Sequence, residues 1–252
     1  MSPTDPVAIA AFTIAGFLAG SIPFALLLGL AKGIDIRTVG SKNPGATNLG
    51  RALGFRWFLL CFLLDAGKGL APVVAFSALT GLLTTSPREI SAAAAIAQLA
   101  VMAAPVLGHM FSPWIGFKGG KGVATGLGAL LGVYPVMTVA GVGAFVVFGL
   151  SLAIWRMVGV SSSLAAASLP LWVWWFFRTL DDVASASRPP DQRGDPDPLT
   201  GGLQQGLPYL TVALFLSVVV IWKHRSNLRR AFSGQEPKIG SPRPPAADSS
   251  RD

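Results

Sequence analysis

Two polar, glycine-rich segments interrupt a mostly apolar chain, and both carry the residue types that hold phosphate. Residues 40–51 set Ser41, Lys42, Asn43, Thr47, Asn48 and Arg51 among Gly40, Gly45 and Gly50. A plain connector needs only turn formers. Here hydroxyls, amides and cations accompany glycines that let a ligand approach the backbone closely. Residues 117–125 set Lys118 and Lys121 around Gly119, Gly120 and Gly122 and end at Thr125. This segment runs into an apolar stretch starting at Val123, so it feeds a helix N-terminus, whose unpaired amides and positive dipole end favour an anion. It is not a magnesium-nucleotide loop, because Gly122 follows Lys121 where a serine or threonine ligand is needed. A third segment holds His224, Arg225, Asn227, Arg229 and Arg230. Three-residue spacing puts His224, Asn227 and Arg230 on one helical face. The bland alternative for all three segments is a basic turn at a membrane surface, and the third also suits anionic lipid headgroups.

Fewer residues inside the apolar stretches can do chemistry. Asp65 and Lys68, three apart, can pair on one helical face and lower the cost of burying either charge. A structural ion pair is the default reading. Ser21, Ser161, Ser162 and Ser163 stand near span ends, where serines usually satisfy helix carbonyls. The single cysteine, Cys61, excludes an internal disulfide and a cysteine-rich metal site.

The elements that position these groups must lie in a bilayer. The 252 residues are 52% hydrophobic and 13% charged, with mean hydropathy +0.57, far more apolar than a soluble domain. Apolar runs cover residues 7–30, 57–83, 90–107, 123–155, 158–177 and 208–222. Most approach the roughly 20 residues that cross about 30 Å of hydrocarbon as a helix, and none shows the alternation of a β-barrel. The run 123–155 is too long for one span and is divided at Tyr134-Pro135. That division makes six or seven helices, with a short fourth over 123–133.

Basic residues choose between the counts. Lys32, Arg37, Lys42, Arg51 and Arg56 occupy one connection, Lys118 and Lys121 another, Arg156 a third, and Lys223, Arg225, Arg229 and Arg230 the last. The positive-inside rule makes these cytoplasmic. Asp5, the Arg88-Glu89 turn, Tyr134-Pro135 and an acidic loop with Asp181, Asp182, Asp191, Asp195 and Asp197 then face outward. Both sets agree only with seven crossings, an outer N-terminus and a cytoplasmic C-terminus. The expectation is an all-α polytopic membrane protein with one seven-helix domain over residues 1–232. A flexible outer loop is expected at 184–206, and a mostly disordered tail at 233–252. With no lysine or arginine before Lys32, the first run is expected to persist as a helix and not as a cleaved signal. No internal repeat of the transporter kind is visible.

Taken together, the chain resembles the bacterial acyl-phosphate-dependent glycerol-3-phosphate acyltransferases. The resemblance runs through Gly20-Ser21-Ile22-Pro23-Phe24, Gly33-Ile34-Asp35-Ile36-Arg37, the 40–51 segment, Asp65 with Lys68-Gly69, and Gly108-His109. It continues through 117–125, His224-Arg225, Asn227, Gly234, Glu236-Pro237-Lys238 and Gly240. It implies a seven-helix enzyme of the bacterial inner membrane, its active site facing the cytoplasm. Such an enzyme moves a fatty acyl group from acyl phosphate to glycerol 3-phosphate and makes lysophosphatidic acid and phosphate. Acyl phosphate, glycerol 3-phosphate and the lipid bilayer are the implied partners; no metal, organic cofactor or nucleic acid is implied, and protein partners stay unassigned.

By the same resemblance Ser41, Arg51, Lys121, Ser162 and His224 take the catalytic positions. Asn43, Thr47, Asn48, His109, Lys118, Gly119, Gly120, Gly122, Thr125 and Asn227 contact substrate. The family's third motif has two serines three apart before the sixth helix. Here those positions read Gly159 and Ser162, a departure that puts the serine contact at 159 in doubt and leaves Ser161 or Ser162 as the substitute. Acyl phosphate is already activated, and direct attack by the glycerol hydroxyl is expected, with Ser162, His109, His224 or a substrate phosphate taking the proton. The rival readings are a transporter or channel for a phosphorylated anion, which wants polar residues through its depth, and a non-catalytic scaffold.

Overall fold

The computed structural model describes residues 1–186 and 203–240. Among them are ten α-helices and no strand. They are α1 Pro6–Ser21, α2 Phe24–Leu30, α3 Ala46–Leu53, α4 Phe55–Leu79, α5 Ala92–Met110, α6 Val123–Leu131, α7 Val136–Trp155, α8 Val158–Ala186, α9 Leu203–Lys223 and α10 Arg225–Phe232. The expected all-α membrane architecture is what forms. Residues 187–202 of the expected outer loop, with Asp191, Asp195 and Asp197, lie outside the described residues, as does the tail from 241 on.

Six helices among the described residues are long and apolar enough to cross a bilayer: Pro6–Leu30, Phe55–Leu79, Ala92–Ile115, Val136–Trp155, Val158–Leu180 and Gln205–Lys223. The expected short fourth span is α6, whose nine residues rise roughly 14 Å, about half the hydrocarbon thickness. Gly132, the residue just after its end, offers its carbonyl to Ser77 Oγ at 3.4 Å, near the far end of α4. The short helix therefore lies along the half of α4 remote from Phe55.

Helix ends follow local chemistry. Asp5 caps α1 by accepting from Val7 N–H at 3.0 Å, with Pro6 at the first position, and Ser91 caps α5 through Ala94 N–H at 3.2 Å. Pro23, lacking an N–H, marks the break between α1 and α2. One stretch departs from expectation: residues 46–53, read as loop, fold into α3. Its apolar residues Ala46 and Leu49 lie one turn apart and bury against Ala25, Leu26, Ile36 and Cys61.

The scaffold has α5 at its centre: 72% of its apolar window is buried, against 28–39% for the other long helices. Their outer faces keep Leu63, Leu150, Ile154 and Val218 exposed, as lipid contact requires. Without a hydrophobic drive between helices in lipid, close approach depends on small residues. Added Cβ atoms at Gly20 and Gly108 would overlap the carbonyls of Pro105 and Phe17, so α1 and α5 touch backbone to backbone. The same holds for Gly69 and Gly128 between α4 and α6. The Gly16 and Gly20 face is thus used within the chain.

Candidate active site

All three polar segments of the sequence meet at one end of the bundle. They surround an open cavity of about 260 Å³, lined by Ser41, Lys42, Asn43 and Pro44 from the loop before α3. Lys118, Gly119 and Lys121 come from the loop before α6, and Ser226 and Arg230 from α10. Three segments far apart in sequence thus supply four cations, Lys42, Lys118, Lys121 and Arg230, to one concavity, an arrangement suited to an anion.

The first loop is shaped by Asn48. Its Nδ2 donates to Ile36 O at 2.8 Å and Val39 O at 3.1 Å, and its Oδ1 accepts from Ser41 N–H at 3.0 Å. Both amide hydrogens are spent on the loop and the residue is buried. Asn48 therefore holds Ser41 at the cavity instead of facing it. Thr47 stands half-buried in the first turn of α3. Arg51, in the last turn of α3, reaches Pro237 O at 3.5 Å.

The second loop folds back onto the last turn of α5. Gly120 N–H donates to His109 O at 3.1 Å. Added Cβ atoms at Gly119 and Gly120 would overlap His109 O and His109 Nε2, so the close packing requires glycine. Gly122, at φ +76° in the left-handed region, starts α6 and turns its first amides toward the loop. Thr125, one turn on, is fully buried, with its carbonyl against Gly69; it lies behind the cavity.

His109 belongs to a neighbouring enclosed cluster. Its Nδ1 is 3.7 Å from Asp65 Oδ1, which pairs with Lys68 Nζ at 2.7 Å. Lys68 Nζ also donates to Ile22 O at 2.6 Å, the carbonyl freed where α1 breaks. A small cavity between this cluster and Gly120 is shared with Ser21, Phe24 and Ser112. The Asp65–Lys68 pair expected from spacing is present, and His109 joins it.

The third segment closes the site. The chain bends at His224, so α10 is a helix separate from α9 and not its extension. Lys121 Nζ donates to Asn227 Oδ1. Asn227 Nδ2 donates to Glu236 Oε1 at 2.6 Å, and Arg230 donates to Glu236 Oε2 through Nε and Nη2, both at 2.9 Å. Burial pushes the Lys121 ammonium down to about 8; Glu236 counters this and Arg230 and Arg51 add to it. Burial and the Lys121 charge push His224 down to about 4. With Nδ1 2.9 Å from Val220 O, the neutral ring places its proton on Nδ1 and leaves Nε2 as acceptor.

The serines expected near α8 turn inward. Ser161, Ser162 and Ser163 donate to Met157 O, Val158 O and Gly159 O at 3.0, 2.8 and 2.9 Å, the i−4 pattern of helical serine. Ser162 is buried and its hydroxyl hydrogen is committed to its own helix. At Gly159 the missing side chain makes room for Asn227, whose atoms would overlap a Cβ there. Glu236 has no role implied by the resemblance; the signal for it is a lone carboxylate in a basic segment, nine residues after Asn227.

A family model described as glycerol-3-phosphate acyltransferase matches residues 10–234. Curated proteins named glycerol-3-phosphate acyltransferase are similar over nearly their whole length. One from Prochlorococcus marinus is 36% identical over 90% of this chain and 96% of its own. One from a Synechococcus strain is 39% identical over 90% and 91%. The crystal structure of PlsY (YgiH), an integral membrane glycerol 3-phosphate acyltransferase, in its glycerol 3-phosphate form, superposes with a TM-score of 0.71 at 31% identity. It covers 92% of this chain and 96% of that one; a lysophosphatidic acid form gives 0.69. The chain belongs to the glycerol-3-phosphate acyltransferase family.

Proposed function

We propose that the protein transfers a fatty acyl group from acyl phosphate to the sn-1 hydroxyl of glycerol 3-phosphate, forming 1-acylglycerol 3-phosphate and inorganic phosphate. The observation that carries this is the cavity in which Ser41, Asn43, Lys42, Lys118, Lys121 and Arg230 converge within a member of this family. Family membership favours this over the transport and scaffold readings.

The hydroxyl oxygen attacks the acyl carbonyl carbon, a new ester C–O bond forms, and the anhydride C–O bond to phosphate breaks. Lys118, Lys121 and the Gly119 and Gly122 amides hold the phosphate on which charge grows, and Arg51 and Arg230 complete the cationic surround. Ser41 and Asn43 orient the glycerol phosphate, with Thr47 beside them. The hydroxyl proton goes to the departing phosphate. A phosphate's second pKa is about 6, nearer neutrality than the roughly 4 of His224, and acceptors work best near the operating pH. Ser162, whose hydroxyl donates to Val158 O within α8, keeps its place among the catalytic residues of this reading, and Thr125, buried in the first turn of α6, its place among the substrate contacts.

The charge distribution supports a bacterial inner-membrane setting with the cavity toward the cytoplasm. Six long helices plus α6 make seven crossings, the short one starting from the recessed glycine loop. Product analysis tests the donor: purified protein given palmitoyl phosphate and glycerol 3-phosphate yields lysophosphatidic acid and phosphate. An equal yield from palmitoyl-CoA would overturn it.

A further inference from the structure

The residues after α10 return to the site. Gly234, at φ +70°, ends α10, and the Gln235 and Glu236 N–H groups both donate to Arg230 O, at 2.7 and 3.1 Å. This turn aims Glu236 back along the α10 face that carries Asn227 and Arg230. The following residues are tied down on two sides: Arg51 reaches Pro237 O, and Ile239 exchanges hydrogen bonds with Arg156, N–H to Arg156 O at 2.7 Å and Arg156 Nε to Ile239 O at 3.0 Å. Glu236 is 5% exposed and bonded to neighbours through both oxygens.

An amide between a carboxylate and an ammonium has one satisfactory orientation. Asn227 must turn Nδ2 toward Glu236 and Oδ1 toward Lys121, the arrangement seen. A neutral partner at 236 removes that instruction. It also removes a negative charge from a group that is otherwise cationic or neutral: Lys121 is faced by Arg230 and His224 from the third segment, by Arg51 from α3, and by Lys118 and Lys42 across the cavity.

We propose that Glu236 is a positioning residue for the acyl transfer: through Asn227 and Arg230 it orients the amide that presents the Lys121 ammonium to the substrate phosphate, and it is that ammonium's counter-charge. The proposal rests on the function given above. It adds that the segment after α10 is part of the working site and more than an end to the chain. The substrate phosphate enters beside a carboxylate already bonded on both oxygens, so Glu236 holds the cations in register and is not displaced.

The full-length protein carrying Glu236→Gln, beside Glu236→Asp, tests this through kcat/KM for glycerol 3-phosphate across pH and through calorimetric binding of glycerol 3-phosphate at the same pH values. With Glu236→Gln the alkaline limb moves down by about one pH unit, and at pH 8 kcat/KM falls roughly fivefold. Much of the loss is regained near pH 6, where Lys121 is charged regardless. Glu236→Asp keeps the wild-type limb. A Gln variant whose limb coincides with that of wild type overturns the proposal, whatever its rate, as does an Asp variant as impaired as Gln. Binding data separate the two claims: wild type that binds glycerol 3-phosphate without acylating it contradicts the proposed function, whereas the pH dependence of binding in the two variants still reports on Glu236.

Discussion

Gly159 and Asn227 are in contact such that a Cβ on residue 159 would overlap the Asn227 side chain. The start of α8 is thereby a wall against which the Lys121 partner is set. Gly159→Ser and Gly159→Ala must both displace Asn227 or α10. Either is expected to lower kcat/KM about tenfold or more with little change in the melting curve, because α8 packs elsewhere on α7 and α9. Wild-type turnover in Gly159→Ser would show that the contact is not functional.

The glycine loop offers a paired test. Gly119→Ala puts a methyl into the backbone of His109, which cannot swing aside, and a displacement of the loop by about 1 Å is worth roughly 100-fold in rate. Gly126, on α6, has nothing within 4 Å of an added Cβ; Gly126→Ala should preserve activity and stabilise α6 by up to about 1 kcal/mol. Equal rates for the two variants would remove the loop's claim to precision.

Lys121 works as a cation, and its value of about 8 sets the sign of the pH response. Below pH 8 the ammonium is charged and binds phosphate; above it the charge is lost, so kcat/KM of the free enzyme declines toward a tenfold fall per pH unit. Lys121→Arg should shift the decline to higher pH. His224, pushed to about 4, contributes no inflection between pH 5 and 8, and its ring carbon resonances should stay at neutral-imidazole positions over that range.

Asp65 and Lys68 are buried on α4 and bonded at 2.7 Å. Removing one partner strands the other, so Asp65→Asn is expected to cost about 3 kcal/mol. Asp65→Leu combined with Lys68→Met should cost less than either single change. Thermal melting in detergent decides, and an unaltered melting temperature in Asp65→Asn would show that the pair is dispensable.

The spans were legible because hydropathy alone marks a helix that lipid must surround, and the three polar segments stood out against them. What escaped was direction. Asn48, Thr125 and Ser162 have the residue types of a binding site, but each is turned inward, Asn48 onto Ile36 and Val39 carbonyls and Ser162 onto Val158. A polar side chain near a glycine motif serves the loop as readily as the ligand, and sequence spacing does not separate the two uses. α3 was hidden because its apolar face is only two turns long and follows Pro44-Gly45, which reads as a turn. The start of α6 at Val123 was legible from the glycine loop before it, whereas its end at Leu131 came two residues before the expected one. Glu236 acquires meaning only when α10 folds back and brings it to Asn227.

Lys121 is the group on which the rest converges: the glycine loop presents it, Asn227 holds it, Glu236 balances it and the cavity opens beside it. The rate of lysophosphatidic acid formation from palmitoyl phosphate and glycerol 3-phosphate by purified Lys121→Ala, folded by its melting curve, is the decisive quantity. A loss of at least about tenfold in kcat/KM is expected; a rate near that of wild type would contradict the assignment of this cavity as the site of acyl transfer.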